Sequence, residues 1–150
     1  MINILDVMSS QGLVSGSTRS LIERYIASWN VSSYDAFLDC HILSEKQIAS
    51  AIASHMNISY ILSVAENEVE KANGFSYLSY DKARKLMAIL VTPLGESNPF
   101  LVVADPSLDG LKEFFESLPF SCRLAIGEKT MIAKWIDDFY PIEHQLPILF

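Results

Sequence analysis

Residues 38–52 read LDCHILSEKQIASAI, and how this stretch is parsed decides what the first third of the chain is. Ser44-Glu-Lys-Gln47 has the form of a capping box, in which the serine hydroxyl satisfies an orphan amide and the glutamine reaches back. Ile48, Ala51, Ile52 and His55 follow at helical spacing, so a helix starts at this serine. Tyr34, Phe37 and Leu38 make a shorter stripe just before it, which leaves His41 to Ser44 as the turn between two helices.

That turn has a counterpart. Gly12-Leu-Val-Ser15 recurs as His41-Ile-Leu-Ser44 at a spacing of 29 residues, each placed between a short helix and a longer one. Thr18, Ile22, Ile26 and Trp29 align with Ser44, Ile48, Ile52 and His55 only at a spacing of 26, so the first copy is expected to carry extra residues around Gly16 and Ser17. Leu21, Ile22, Tyr25, Ile26 and Trp29 form one apolar stripe on its longer helix. Residues 1–57 therefore read as a lobe of four short helices, a duplicated helix-turn-helix.

From Ile58 the alphabet changes. Ile58 to Leu62 alternates as a short strand, Ser79 to Leu86 reads as a short helix, and Ala88 to Leu94 reads as a strong strand. Gly95-Glu-Ser-Asn98 is turn chemistry, with the strand Phe100 to Ala104 at hairpin distance. A helix from Ser107 to Ser117, a strand from Ser121 to Ile126 and a helix from Lys129 to Tyr140, with Ile132, Ile136 and Tyr140 inward, complete the pattern. The fold class is α+β: the helical lobe is followed by a compact αββαβα lobe over 58–141, whose hairpin is extended by a right-handed β-α-β crossover. Residues 142–150 read as a linker or the start of a following element, and Leu146-Pro-Ile-Leu-Phe150 has the look of a chain cut before the next element.

Composition narrows the function. Half of the 150 residues are apolar, enough to bury a core, and 18 acidic against 11 basic residues give a charge of −7. The cationic surplus of a nucleic-acid binder is absent. Cys40 and Cys122 are too far apart for a metal or disulfide pattern, and His41, His55 and His144 form no ligand spacing, so neither metal nor cofactor is expected. The apolar runs are too short for a bilayer span of roughly 20 residues, and Met1 to Asp6 lacks the basic region of a signal peptide. A soluble intracellular chain is expected.

No catalytic set emerges. Asp105, followed by Pro106, stands where a strand meets a helix, and its carboxylate is better placed to cap the next helix than to act as a general acid or base. Gly127-Glu-Lys-Thr130 lacks the earlier glycine of a phosphate-binding loop, since Cys122 stands there, and reads as a helix start with a Thr or Gly cap. No serine sits in a nucleophile elbow. The chain is not expected to be an enzyme.

Leu38 to Ile52 resembles the "LVxxGLISEEQLxxAL" segment of the N-terminal domain of type II secretion and type IV pilus assembly ATPases, the GspE/PilB/MshE N-terminal domain family. Met56-Asn-Ile-Ser-Tyr60 resembles that family's "xGLPY", Tyr80 to Leu94 its "ELARKYRVLPL", Phe100 to Pro106 its "LTVAMADP", and the closing helix with Ile132, Ile136 and Tyr140 its "IxxxIxxxY". The resemblance implies a helical lobe followed by an α/β lobe, without the ATPase motor, whose Walker A is not in the chain. It also implies docking to the cytoplasmic part of an inner-membrane platform protein, with neighbouring ATPase subunits as further candidate partners, and a location at the inner face of the bacterial inner membrane.

In a subset of the family the duplicated motif beginning Arg-Leu-Gly binds cyclic di-GMP. The ligand-binding candidates by this likeness are Gly12, Leu13, Val14 and Ser15 with His41, Ile42, Leu43 and Ser44. The Arg-Leu-Gly positions hold Asn3, Ile4 and Leu5 in one copy and Ser32, Ser33 and Tyr34 in the other, so the charge-assisted contacts to a phosphodiester are missing. A regulatory module sensing cyclic di-GMP, attached to another effector such as a membrane glycosyltransferase, is the alternative. Leu21, Tyr25, Trp29, Tyr34 and Phe37 are the candidates for a partner-binding surface, unless their side chains pack against the α/β lobe.

Overall fold

The computed structural model describes residues 2–145 and divides into two compact units, Met1–Asn57 and Ile58–Phe150. The first unit holds four helices: α1 (Ile4–Ser10), α2 (Gly16–Trp29), α3 (Ser33–Asp39) and α4 (Glu45–Met56). The pairing is crossed, since α1 packs on α4 and α3 on α2. Ile4, Met8, Phe37, Ile48 and Ile52 are the largest buried side chains, with Ile22 the one buried residue of α2.

That last observation corrects the expected α2 stripe. Only Ile22 faces the core; Leu21 and Trp29 are exposed, and Tyr25 and Ile26 are half-buried. The lengths of the two copies also differ elsewhere than expected. The caps Ser15 and Ser44 keep the spacing of 29, whereas α2 has 14 residues and α4 has 12, so the extra residues lie at the C-terminal end of α2 and not around Gly16 and Ser17.

The second unit is built on a three-stranded sheet of β1 (Ala88–Val91), β2 (Phe100–Val103) and β3 (Arg123–Ile126). β1 and β2 form an antiparallel hairpin in which Ala88 faces Val103, while β2 and β3 run parallel, Phe100 beside Arg123, joined through α8 (Leu111–Ser117). Every residue of β1 and β2 is buried, which is why these strands read as continuous apolar runs. The helices α7 (Tyr80–Leu86) and α9 (Lys129–Phe139) pack on each other and on β1. Ile132 and Ile136 of α9 are buried, and the Tyr140 hydroxyl just beyond it donates to the Leu78 carbonyl at 2.5 Å.

Several boundaries depart from the sequence pattern. The expected strand Ile58 to Leu62 is reduced to one bridge from Tyr60 to Ile126, and the strand expected from Ser121 starts at Arg123. Two unforeseen helices precede α7: α5 (Glu66–Lys71) and α6 (Gly74–Tyr77). Glu68 explains α5, because its two carboxylate oxygens accept from the Ala65 and Leu94 amides and its carbonyl accepts from Thr92, tying the helix start to the hairpin loop. The cap of α9 is Glu128, neither Thr nor Gly; a Cβ on Gly127 would stand 3.0 Å from Val102 Cγ1, so this glycine serves close packing.

The helix expected from Ser107 starts at Leu111 behind Gly110. Asp105 is therefore not a helix cap. Its Oδ1 accepts from the Ser107 amide at 2.9 Å and hydroxyl at 2.6 Å, and its carbonyl accepts from Leu108, so Asp105 and Pro106 build a turn. Residues 142–145, expected as a linker or the start of a following element, form α10 (Ile142–Gln145), where Gln145 donates to the Asp137 and Tyr140 carbonyls. Leu146 to Phe150 lies outside the described residues.

Candidate functional site

The helical unit repeats itself closely. Asn3 caps α1 by accepting from the Asp6 amide, and Ser32, 29 residues on, caps α3 by accepting from Asp35. At the other end of α1 the Leu13 amide donates to Met8 and the Gly12 amide to Ser9; at the end of α3 the Ile42 amide donates to Phe37 and the His41 amide to Leu38. Both are Schellman turns, and the residue at the bend is left-handed in each, φ 73° at Gly12 and 55° at His41. Ser15 and Ser44 then cap α2 and α4, accepting from Thr18 and Gln47, with Gln47 reaching back to the Ser44 amide.

This geometry defines the state of the residues singled out by the resemblance. Val14 and Leu43 point into the core, and the hydroxyls of Ser15 and Ser44 serve as caps. Leu13, Ile42, Gly12 and His41 remain at least partly at the surface. At the Arg-Leu-Gly positions, Asn3 and Ser32 are helix caps, and Leu5 and Tyr34 are buried where the motif has glycine. Short polar caps and core side chains thus occupy the places of an arginine and of a close backbone approach.

Two surface features flank these turns. A groove of about 440 Å³ runs beside α4, lined by Gln11, Leu13, Lys46, Gln47, Ser50, Ala51 and Ser54. The Gln11 amide closes one end by donating to the Ala51 carbonyl at 2.9 Å. Ser50 and Ser54 did not stand out in the sequence, because hydroxyls on a helix read simply as a solvated face. The groove offers one ammonium, amides and hydroxyls, with no carboxylate or imidazole among its lining residues to act as a base.

The second feature is the α2 face. Leu21 is 57% and Trp29 68% exposed, with Tyr25 between them; the Tyr25 and Trp29 rings are tilted with centroids 6.2 Å apart. The Tyr25 hydroxyl donates to Asp39 Oδ2 at 3.2 Å, and partial burial together with that bond pushes the phenol above its ordinary range. The other partner-binding candidates do not join this face. Tyr34 and Phe37 are 2% and 0% exposed and belong to the core of the helical unit, because α3 turns them inward.

Among the described residues no group of three or more His, Cys, Asp or Glu could hold a metal ion, and neither cysteine is in a disulfide. No described helix is long and apolar enough to cross a membrane.

No protein-family model and no curated protein matches the sequence. Solved structures do. The chain superposes on MshE, in a structure with cyclic di-GMP, with a TM-score of 0.71 and 18% identity, over 93% of this chain and 100% of that one. The N-terminal domain of XpsE matches with a TM-score of 0.57 and 14% identity, over 91% of this chain and 94% of that one. At these identities the likeness is one of fold, and both units share in it. The chain has the fold of MshE and of the N-terminal domain of XpsE.

Proposed function

We propose that the chain is a non-catalytic docking and regulatory domain of a secretion or pilus-assembly ATPase, one that binds the cytoplasmic part of an inner-membrane platform protein. The observation that carries this reading is the fold likeness over nearly the whole chain. The exposed apolar face of α2 supports it, because Leu21, Tyr25 and Trp29 line one face of the helix and contiguous apolar patches mark interaction sites. The domain would then reach the inner face of the inner membrane through its partner, with neighbouring motor subunits as a second contact.

A reading as a cyclic di-GMP sensor is favoured by the likeness to MshE, which has been seen with that ligand. Against it stand the caps Asn3 and Ser32 and the buried Leu5 and Tyr34, since neither copy offers a guanidinium or room for a phosphodiester at those places. Calorimetric titration with cyclic di-GMP and, in parallel, with the platform protein's cytoplasmic region separates the two. Heat from the protein alone is expected; heat from the nucleotide alone would replace docking with sensing.

A further inference from the structure

We infer that the α2 face seats an amphipathic helix of the partner protein, held by Leu21, Tyr25 and Trp29 and oriented by Arg24 and Asp39. The inference rests on the docking reading and assigns it a surface.

The duplication supplies an internal control. At the spacing of 29, Leu21 and Tyr25 of α2 correspond to Ser50 and Ser54 of α4, both exposed. The same backbone position on the same motif is thus solvated by hydroxyls in one copy and faced with apolar groups in the other. The fold does not need apolar side chains there, and together with Trp29, whose ring lies 6.2 Å from that of Tyr25, they make a contiguous apolar patch of the kind that marks an interaction site.

The shape and charge of the face indicate what covers it. Leu21, Tyr25 and Trp29 stand at i, i+4 and i+8, a ridge about 12 Å long at 1.5 Å per residue. Beside it runs the exposed row Ser20, Arg24 and Ser28, two small side chains on either side of a cation. Arg24 forms no ion pair among the described residues. On the opposite flank, where α3 packs on α2, Asp39 accepts the Tyr25 hydroxyl and is otherwise exposed. A positive and a negative edge on either side of an apolar ridge fit a helix with an apolar stripe, an acidic residue on one border and a basic residue on the other. Such a pair of charges also fixes which way the partner helix runs.

The test uses the whole chain and the platform protein's cytoplasmic region. Trp135 is 5% exposed, so a change of tryptophan emission on binding reports Trp29. Binding is expected to shift that emission to shorter wavelength. The double substitution Leu21→Ser and Tyr25→Ser, which installs the residues of the other copy, should weaken binding roughly tenfold or more, as should Trp29→Ala. Arg24→Glu should weaken it less and remove part of its salt dependence. Binding of unchanged affinity in all of these variants, with no emission shift, would overturn the inference and leave docking intact. Absence of any heat with the unmodified chain would overturn both.

Discussion

The two copies of the helix-turn-helix share a backbone and almost nothing on their surfaces. From Asn3 to Thr18 and from Ser32 to Gln47 the caps, the Schellman turns and the left-handed bends coincide residue for residue, while glycine stands at the bend of one and histidine at the other. Beyond the caps the helices diverge: α4 buries Ile48, Ala49, Ala51, Ile52 and Ala53, and α2 buries Ile22 alone. The lesson is that local hydrogen bonds hold the motif, which leaves the exterior of one copy free to become an interface and that of the other to stay wet.

The sharpest way to break this comparison is at a position where one copy buries an aliphatic side chain and the other holds a charge. Ile48 is fully buried and its counterpart is Arg19, whose guanidinium pairs with Asp6 at 2.7 Å at the surface. Ile48→Ala should cost about 2–5 kcal/mol, the usual loss for a core aliphatic. Arg19→Ala should cost far less, because an exposed ion pair is screened. Denaturant melts of the two variants measure both, and equal losses would show that α2 is as firmly built in as α4.

Next in size are the caps. Ser44 Oγ accepts from the Gln47 amide at 3.1 Å while the Ser44 amide donates to Gln47 Oε1 at 2.9 Å, whereas Ser15 Oγ accepts from the Thr18 amide at 3.3 Å and its other bonds, to the Ser17 and Thr18 hydroxyls at 3.1 Å, lie in solvent. Both serine-to-alanine changes fall in the range of about 0.5–2 kcal/mol, with Ser44→Ala near the top and Ser15→Ala near the bottom. A reversed order in the same melts would mean that packing around the caps outweighs their hydrogen bonds.

The bends offer opposite signs. A side chain held left-handed costs about 1–2 kcal/mol, from which the greater freedom of glycine in the unfolded chain takes back about 0.5–1. His41→Gly should therefore stabilise the chain by roughly 0.5–1 kcal/mol, and Gly12→Ala should destabilise it by about 1, although a Cβ at Gly12 meets nothing within 4 Å. A destabilising His41→Gly would mean that the imidazole makes a contact worth more than the strain.

How much of this was legible beforehand varied with the physics involved. The capping box at Ser44, the duplicated turn and the hairpin from Ala88 to Val103 could be read directly, because caps, turn residues and continuous apolar runs leave local marks. The helix α5 could not, since it buries only Val69 and owes its start to a bond between Glu68 and a hairpin loop 26 residues away. At Asp105 and Pro106 the structural turn was legible but not the group it closes on, because a turn closed on Ser107 and a helix cap look alike in sequence. The α2 stripe misled for another reason. Periodicity shows that a helix has an apolar face without showing what covers it, and Tyr34 and Phe37 were grouped with Leu21 and Trp29 although α3 turns the first two inward and α2 the others out.

The smallest expected effect is the most informative about that face. If Leu21 and Tyr25 served the fold, replacing them with the serines of the other copy would lower the melting temperature as a core substitution does. Leu21 gives up little buried area and Tyr25 a half-buried ring with an exposed bond to Asp39, so the doubly substituted chain should melt only slightly below the original, well short of a core loss. Even a modest gain in solubility is consistent with an apolar row removed from water. A clear fall in melting temperature would make the row part of the scaffold and would take away the contrast between a wet copy and a sticky one. A nearly unchanged melting temperature would leave α2 with apolar side chains that the fold hardly uses, the condition the inferred docking face has to meet.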